Sequence, residues 1–405
     1  MKKHEGVWLP DYDKHFTATR RVKLYQAGAV DEALKHVRRF RTAVDVGAHV
    51  GLITMQLARR FERVVAFEPD SECFECLQRN VADAGLSDHV HMENCALGDH
   101  RRRVWLSDAL AKNSGNRQVR HDGKGVEVPQ VLLDDFSIEH VDFLKIDVQL
   151  YEYYVIAGAK KLIRAWRPVC MIESEACDKF PIRYDHTAKE GISLLLDQGG
   201  EQVAKAGCDV IVAYPKVENI PFTKYDQRGD YHWQVYTQAK NFLAMFEYVT
   251  KYVLSLGGRI LDVGCGDGLW TVHMGCQGID NSPAAIDQAI RHGARAQLGS
   301  VWELERFADG RKWDAICLFD TLEHLYEQDE VIQEVGKWTD RILILNPDPC
   351  NSPYHTREFT ADSLRQFMAD LGWRCEFERR FELESEGSED ENAKTFMDFV
   401  KDATS

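Results

Sequence analysis

The sequence lacks the features that would direct it to a membrane or to nucleic acid. None of its apolar runs reaches the ~18–20 residues that span a bilayer, and its first residues contain no apolar segment typical of a signal peptide. It has 50 basic residues and 65 acidic ones, so the net charge is -15. This balance does not favour non-specific binding to a phosphate backbone, because phosphate neutralisation supplies most of that affinity. We therefore expect a cytoplasmic protein without a membrane span.

Two common nucleotide-binding fingerprints are also missing. The sequence has no P-loop of the form G-x-x-x-x-G-K-[ST], and no complete G-x-G-x-x-G turn. Its 11 cysteines follow no framework spacing, so we expect them to be reduced. Cys73 and Cys76 form a C-x-x-C, but they lie in a helical pattern without a second pair. Buried thiols are therefore the favoured interpretation over a zinc site.

A coarse internal repeat is present. A β-branched run that ends in Asp-Val-Gly occurs at Asp45 and again at Asp262, each time before a glycine-rich turn. A chain of 405 residues has the length of two or three domains at ~150 residues each. We expect a first domain over residues 1–218, a linker over 219–227, a second domain over 228–383 and a mobile acidic tail over 384–405.

Apolar strand-like runs alternate with helical patterns in both halves. In the first half they include residues 63–67, 141–148 and 168–175, and in the second half residues 259–263 and 313–319. Alternating strands and helices are typical of a parallel sheet with helices on both faces. The sequence therefore predicts an α/β fold with two tandem Rossmann-like, doubly wound sheets.

Each glycine-rich turn is followed by an acidic residue at the end of the next predicted strand. Glycine lets a ligand approach the backbone closely, and the acids are Glu68 after the first turn and Asp280 after the second. Both lie about 20 residues beyond the start of their turn, which is the spacing of a βαβ unit whose acid binds a ribose diol. A nicotinamide enzyme and a methyltransferase both fit this pattern.

The second half resembles S-adenosylmethionine-dependent methyltransferases of the broad type 11 group. The matching pieces are LDVGCGDG, GIDNSPAAIDQA, FDTLEHL and YHTREFT, over about residues 231–381. The resemblance implies a Rossmann-like fold that binds S-adenosylmethionine, and it leaves the methyl acceptor open. The residues expected to hold the cofactor are Asp262, Gly264, Gly266 and Asp280.

The first half resembles the FkbM-type methyltransferase family, whose members are mostly O-methyltransferases of sugars and secondary metabolites. DVGAHVG, VVAFEPD, CALGD, DFLKIDVQLYEYYV and RPVCMIESE occur in order between residues 42 and 214. The family's usual Glu-Gly is Gln149-Leu150 here, and an amide cannot act as a base. The domain is thus either an active enzyme or one kept for binding or scaffolding. The residues expected to hold S-adenosylmethionine are Asp45, Gly47, Gly51, Glu68 and Asp147.

Candidate catalytic residues follow two strands of the second half. Methyl transfer to a hydroxyl needs an aligned acceptor and a base, and histidine is the usual base. Glu323 and His324 follow the fourth strand and His355 the fifth, so we expect all three at the ligand-binding edge of the sheet. Together with Asp320 they resemble the carboxylate–histidine cluster of small-RNA 3′-terminal methyltransferases, which holds a divalent ion. Our prediction is metal-free base catalysis, and metal assistance is the alternative.

Three classes of function fit the sequence. The first is O-methylation of a glycan, a nucleotide-sugar or another small hydroxylated acceptor by one or both domains. The second is methylation of RNA or DNA, against which the acidic charge argues, although a local basic groove would permit it. The third is an assembly protein with degenerate methyltransferase folds. The N-terminal arm, with Asp13 and Phe16, is predicted either to cover the first domain's acceptor site or simply to pack on its sheet.

Overall fold

A computed structural model describes residues 1–18, 22–109, 112–174, 181–214, 225, 228–238, 240–350, 352, 355–383 and 393–402 of the chain. The chain divides into two units, Met1–Pro215 and Lys216–Ser405. Most of the predicted linker lies outside the described residues, as does the acidic part of the predicted tail, 384–392. Within the described residues no helix is long and apolar enough to cross a membrane. A cytoplasmic location stays a prediction.

The first unit contains thirteen described strands and seven α-helices. The strands are β1 Lys2–His4, β2 Val7–Leu9, β3 Thr42–Val46, β4 Arg63–Phe67, β5 Val90–Glu93, β6 Ala96–Leu97, β7 Arg102–Leu106, β8 Val119–Arg120, β9 Val126–Val131, β10 Val141–Ile146, β11 Val169–Glu173, β12 Glu201–Ala206 and β13 Asp209–Ala213. The helices are His15–Ala18, Ala27–Leu34, Leu52–Leu57, Ser71–Asp83, Glu152–Ala157, Lys160–Trp166 and Ala188–Asp197, and short 3₁₀ turns occupy Val22–Leu24, Ser114–Asn116 and Leu133–Asp135.

The main sheet of the first unit has seven strands in the order β12-β13-β11-β10-β3-β4-β5. The five strands from β11 to β5 are parallel, and β13 is antiparallel to β11. β3 is buried along its whole length and lies at the centre, where the strand order reverses. Ligands of open α/β sheets bind in the crevice at such a reversal, outside the carboxyl ends of the strands. Here that crevice lies between β3 and β10.

The described residues of the second unit form seven strands and seven α-helices. The strands are β14 Ile260–Val263, β15 Gln277–Asp280, β16 Arg295–Leu298, β17 Ala315–Phe319, β18 Arg341–Pro347, β19 Trp373–Glu382 and β20 Ala393–Lys401. The helices are Tyr231–Gln238, Lys240–Leu256, Leu269–Met274, Pro283–Arg291, Leu304–Ala308, Gln328–Trp338 and Ala361–Asp370, with 3₁₀ turns at Val301–Glu303 and Leu322–His324.

The second sheet repeats the strand order of the first. Its order is β16-β15-β14-β17-β18-β20-β19, with β16 to β18 parallel and β20 antiparallel to its neighbours. The central β14 is fully buried, and the strand order reverses between β14 and β17. The predicted pair of Rossmann-like, doubly wound sheets is therefore confirmed.

The prediction that residues 384–405 form a mobile tail is wrong for its second half. Residues 393–401 form β20, which lies between β18 and β19 and is buried over most of its length. Asp398 on this strand is fully buried, and its carboxylate accepts a hydrogen bond from the Tyr252 hydroxyl at 2.6 Å and pairs with Arg341 at 3.1 Å. The acidic run over 384–392 led to the prediction of a tail, but the short apolar segment that follows it forms a strand and completes the sheet.

Candidate functional site

The first glycine-rich turn is fixed by contacts on both of its sides. The N–H groups of Gly47 and Ala48 donate to the Phe67 carbonyl, each at 3.0 Å. Gly47 has φ of +77°, and a Cβ atom there would lie 2.0 Å from the carbonyl oxygen of Asp147. Only glycine permits this approach, so the turn lies directly against the loop that follows β10.

Asp45 lies beneath the turn and is completely buried. Its carboxylate accepts the Thr54 hydroxyl at 2.6 Å and pairs with the Lys145 ammonium at 3.2 Å. Lys145 also donates to the Gly47 carbonyl at 3.1 Å and lies 3.8 Å from Asp147. Burial alone would lower the pKa of Lys145, but the two carboxylates outweigh burial and raise it. Asp45 therefore anchors the turn from below.

Glu68 connects the end of β4 to the same turn. Its two carboxylate oxygens accept the N–H groups of His49 and Asp70, both at 2.8 Å. Asp70 in turn begins the helix Ser71–Asp83, because its side chain accepts the N–H groups of Glu72 and Cys73. Burial raises the pKa of Glu68 to about 8, against the effect of the two N–H donors. A buried acceptor therefore stands beside the glycine turn, as a ribose site requires.

Two cavities meet at this turn. One, of about 70 Å³, is lined by Glu68, Asp70 and Leu97 among others, and the second, of about 240 Å³, is lined by Lys145 and Glu173 among others. The residues common to both linings are Gly47, His49, Gly115, Asp147 and Gln149. The two cavities therefore share one side of the turn, with Glu68 at the smaller cavity and Lys145 at the larger one.

Gly51 contributes to packing and lines neither of these cavities. It precedes the helix Leu52–Leu57 with φ of +88°, and a Cβ atom there would lie 2.6 Å from the Leu77 side chain. Of the five predicted cofactor residues in this unit, the structure thus brings Gly47, Glu68 and Asp147 to the cavities.

Gln149 occupies the centre of a carboxylate cluster. Its amide donates to Asp147 at 2.7 Å and to Glu173 at 3.2 Å. Burial and the neighbouring Asp147 raise the pKa of Glu173. A glutamate at position 149 would bring a third carboxyl group here, whereas the amide donates to the two already present. Gln149 and Leu150 both have left-handed backbones, with φ of 59° and 78°.

The second unit repeats the backbone hydrogen bonds of the turn. The N–H groups of Gly264 and Cys265 donate to the Ile279 carbonyl at 2.8 and 3.0 Å. Asp262 is buried and accepts the Thr271 hydroxyl at 2.6 Å, as Asp45 accepts that of Thr54. The N–H of Gly266 donates to the second strand-end acid, Asp280, as the N–H of His49 donates to Glu68.

Asp280 closes the second turn from the end of β15. Its carboxylate accepts the N–H groups of Gly266 at 2.9 Å and Ser282 at 2.8 Å. Burial raises the pKa of Asp280 to about 6, although both N–H donors oppose the shift. The four residues predicted to hold the cofactor in this unit therefore form one turn, with Asp262 below it and Asp280 beside it.

The predicted catalytic residues of the second unit lie together. Glu323, His324 and His355 each place a ligand atom within 4.8 Å of the other two. The two imidazole rings are 4.9 Å apart in an edge-to-face arrangement, and Glu323 is buried. The Thr356 N–H donates to the Glu323 carbonyl at 2.7 Å, which ties the two loops together. One carboxylate and two imidazoles can serve as a base with its orienting group, or as ligands of a divalent ion.

Asp320 is not a member of this group of potential ligands. Its carboxylate pairs with the Lys394 ammonium at 2.7 Å, and both side chains are nearly buried. A second group of potential ligands shares His355 and consists of Cys350, His355 and Glu358. Asp320 is therefore already paired with a positive charge, the ammonium group of Lys394 on β20.

Two protein-family models match the chain in tandem. Residues 45–188 match the methyltransferase FkbM domain, and residues 236–377 match a model described as a methyltransferase domain. The chain carries two tandem methyltransferase domains. Class I methyltransferase domains use S-adenosylmethionine, so the predicted enzyme class and cofactor are confirmed at the level of the domains.

Curated relatives match only part of this chain. A ubiquinone biosynthesis O-methyltransferase of Xylella fastidiosa is 33% identical over 89 residues, which cover 20% of this chain and 36% of that protein. One of Coxiella burnetii is 27% identical over 96 residues, which cover 22% of this chain and 41% of that protein. The chain thus spans about two fifths or less of the length of these relatives.

Solved methyltransferase structures resemble parts of the chain weakly. Magnesium protoporphyrin IX methyltransferase from Synechocystis PCC 6803 with bound S-adenosylmethionine has a TM-score of 0.35 and 15% identity, and the match covers 44% of this chain and 93% of that one. At this score the likeness supports no conclusion about function.

Three residues that contact the predicted sites were not predicted from the sequence. Lys145 lies under the first turn, and Lys394 pairs with Asp320 from a segment predicted to be tail. Tyr225 lies in the predicted linker, and its hydroxyl would be 1.9 Å from a Cβ atom at Gly266. For Lys145 a signal existed, since a lysine in a buried strand needs a carboxylate partner.

The start of the helix Tyr231–Gln238 lies against the second glycine-rich turn as well. The His232 ring contacts Asp267 at 3.2 Å, and the Trp233 indole N–H donates to the Asp267 carbonyl at 3.0 Å. In the first domain, Cys73 and Cys76 are buried free thiols.

The close approach at Gly47 makes a testable prediction about the first domain. Gly47→Ala should lower the free energy of unfolding by about 2–5 kcal/mol, because it combines a strained left-handed backbone with a backbone clash. Gly85→Ala is the matched control: its φ is +68°, and nothing lies within 4 Å of its added Cβ atom. It should cost only about 1–2 kcal/mol. Urea unfolding checks both, and equal losses would contradict the contact with Asp147.

Proposed function

We propose that the chain transfers methyl groups from S-adenosylmethionine to hydroxyl groups of a glycan, a nucleotide-sugar or another small hydroxylated acceptor. The observation that carries the proposal is the repeated turn, in which a strand-end carboxylate, Glu68 or Asp280, accepts an N–H of the glycine-rich loop. Two imidazoles beside the second turn add a group that can take a proton from a hydroxyl.

In the second domain, the cofactor turn and the imidazole cluster have separate roles. Asp280 and the glycine turn bind the ribose and orient the cofactor, which supplies an electrophilic methyl group when bound. His324 or His355 accepts the proton of the acceptor hydroxyl. Glu323 is buried next to both rings and stabilises the imidazolium that forms, because an opposite charge within a few ångströms favours the charged form.

In the first domain, Glu68 and Gly47 would bind the cofactor, with Asp147 near its methyl end. Gln149 cannot accept a proton, and its amide already donates to two carboxylates. This observation favours a second candidate function for the first domain, which is cofactor or acceptor binding without transfer.

A tritiated methyl-transfer screen tests the proposed function. The panel contains nucleotide-sugars, methyl glycosides, catechol and a short RNA, each offered with [methyl-³H]S-adenosylmethionine. We expect label in at least one hydroxylated small molecule and none in the RNA. Asp280→Ala and Glu68→Ala then assign the transfer to a domain. Label confined to the RNA, or no label in any acceptor, would refute O-methylation of a small molecule.

Chelation separates the two ways in which the imidazole cluster can act. Base catalysis without a metal predicts that excess EDTA leaves the rate of the second domain unchanged. If EDTA abolishes transfer and added Mg²⁺, Mn²⁺ or Zn²⁺ restores it, then Glu323, His324 and His355 are metal ligands, and the ion lowers the pKa of the acceptor hydroxyl.

A further inference from the structure

The Ser114 hydroxyl lies between a carboxylate and an imidazole in the first domain. Its Oγ is 2.6 Å from Oδ2 of Asp13 and 2.7 Å from Nε2 of His49. Asp13 comes from the N-terminal arm, Ser114 begins a 3₁₀ turn, and His49 lies in the glycine-rich loop. Three separate segments therefore form one chain of hydrogen bonds that ends at the cofactor turn.

Asp13 is built into this position as an acceptor. It is fully buried. Its Oδ1 accepts the Phe16 N–H at 2.8 Å, and its Oδ2 accepts the Ser114 N–H at 2.9 Å in addition to the hydroxyl. Three donors converge on its two oxygens, which is the environment of an ionised carboxylate. An ionised carboxylate only accepts hydrogen bonds.

The direction of the chain follows from this acceptor. The Ser114 hydroxyl must donate its proton to Asp13, so its oxygen can only accept from the imidazole. Nε2 of His49 therefore carries the ring hydrogen, and Nδ1 carries the lone pair. Among the described residues Nδ1 has no hydrogen-bond partner. The same logic fixes the histidine tautomer in hydrolase triads, where a carboxylate orients the ring.

The imidazole of His49 is also fixed in space. The ring of Phe16 packs on it with a centroid distance of 4.9 Å, and its backbone N–H is bound to Glu68. His49 lines both cavities of the first domain, beside Asp147 and Gln149. Of its two ring nitrogens, only Nδ1 is left to meet a ligand there.

We propose that Nδ1 of His49 accepts the proton of the acceptor hydroxyl in the first domain, and that Ser114 and Asp13 are positioning residues that fix its tautomer. This inference rests on the proposed function. It supplies the base that Gln149 cannot provide, and it gives the N-terminal arm a role in the site. In the reaction the O–H bond breaks and the proton moves to Nδ1. The oxygen forms the bond to the methyl carbon, and the electron pair of the C–S bond leaves with the sulfur.

Burial and the neighbouring carboxylates act on the pKa of His49 in opposite directions. Burial lowers its pKa to about 4, so the ring is neutral at pH 7 and its lone pair is free. Asp13, Asp70 and Asp147 favour the imidazolium, whereas Lys145 opposes it. Burial outweighs these carboxylates, so they stabilise only in part the cation that proton transfer produces.

The tautomer is measured directly on the full chain labelled with [¹⁵N]histidine. Long-range ¹H–¹⁵N spectra, assigned by the loss of one signal set in His49→Asn, should show a single Nε2–H tautomer. Asparagine tolerates the left-handed backbone, with φ of 52°, at this position. Ser114→Ala removes the acceptor and should give a mixture of tautomers. An Nδ1–H tautomer in the parent, or no effect of Ser114→Ala, overturns the proposal.

The activity arm uses His324→Ala together with His355→Ala to remove the base of the second domain, and methyl glycosides as probes with tritiated donor. Adding His49→Asn should lower kcat by about 10²–10⁴-fold, with less than a threefold change in the Kd for S-adenosylhomocysteine. Imidazole should restore part of the rate in His49→Gly, which a purely structural histidine would not allow. Equal rates with and without His49→Asn overturn the proposal alone. No transfer by the first domain, with S-adenosylhomocysteine still bound, overturns it together with the proposed transfer activity of that domain.

Discussion

Alanine at His324 or His355 should lower methyl transfer by the second domain by about 10²–10⁴-fold, while the affinity for S-adenosylhomocysteine stays nearly unchanged. The proton of the acceptor hydroxyl moves only in the transition state, so the loss should appear in kcat and not in cofactor binding. Steady-state rates with the acceptor identified in the tritium screen, together with calorimetric titration of the demethylated cofactor, provide the measurement.

Because His355 is buried, the loss of a base in His355→Ala must be distinguished from the loss of packing. His355 is 6% exposed, so His355→Ala also leaves a cavity and should lower the melting temperature. His355→Gln fills most of that space but cannot accept the proton. If His355 is the base, both variants lose the same activity. If neither His324 nor His355 matters for kcat, positioning alone drives the reaction and the catalytic assignment fails.

Asp280→Ala should weaken cofactor binding to the second domain by about 1–3 kcal/mol, a factor of roughly 5–150 in Kd. The alanine removes the acceptor for the ribose hydroxyls and leaves the N–H groups of Gly266 and Ser282 without their carboxylate. Asp287→Ala is the matched control, because it removes the same charge from an exposed site on the helix that follows. It should bind as tightly as the parent, and an equally tight Asp280→Ala would contradict the site.

The pH dependence of the same affinity follows from the raised pKa of Asp280. Burial holds this pKa at about 6, so the group is protonated below pH 6 and ionised above it. The ionised form accepts hydrogen bonds from the ribose with both oxygens. Affinity should therefore rise as the pH increases from about 5 to 7 in the parent and in Asp287→Ala, and this rise should be absent from Asp280→Ala.

The central parts of both sheets could be predicted from the sequence, because local chemistry determines them. A buried β-branched strand, a turn that requires left-handed glycines and an acid one βαβ unit later give the same reading for β3 and for β14. The order of the seven strands then follows from the fold class. Residues that a single turn brings together, such as Gly47 and Glu68, could be predicted in this way.

Partners that arrive from distant segments could not be predicted. The pairing of Lys394 with Asp320 joins strand β20 to the loop after β17, 74 residues away. The acidic run before β20 concealed the strand that carries this lysine. The chain from Asp13 to His49 likewise depends on an N-terminal arm that lies 101 residues from Ser114. Neither spacing has a local periodicity, so only the folded sheet brings these residues together.

The number of S-adenosylhomocysteine molecules bound per chain tests the central claim, that each glycine turn with its strand-end acid forms a cofactor site. Calorimetric titration of the full chain should resolve two sites. Glu68→Ala should weaken one of them and Asp280→Ala the other, and the double variant should show little heat. A chain that binds no S-adenosylhomocysteine, or two sites that survive both substitutions, would contradict the account.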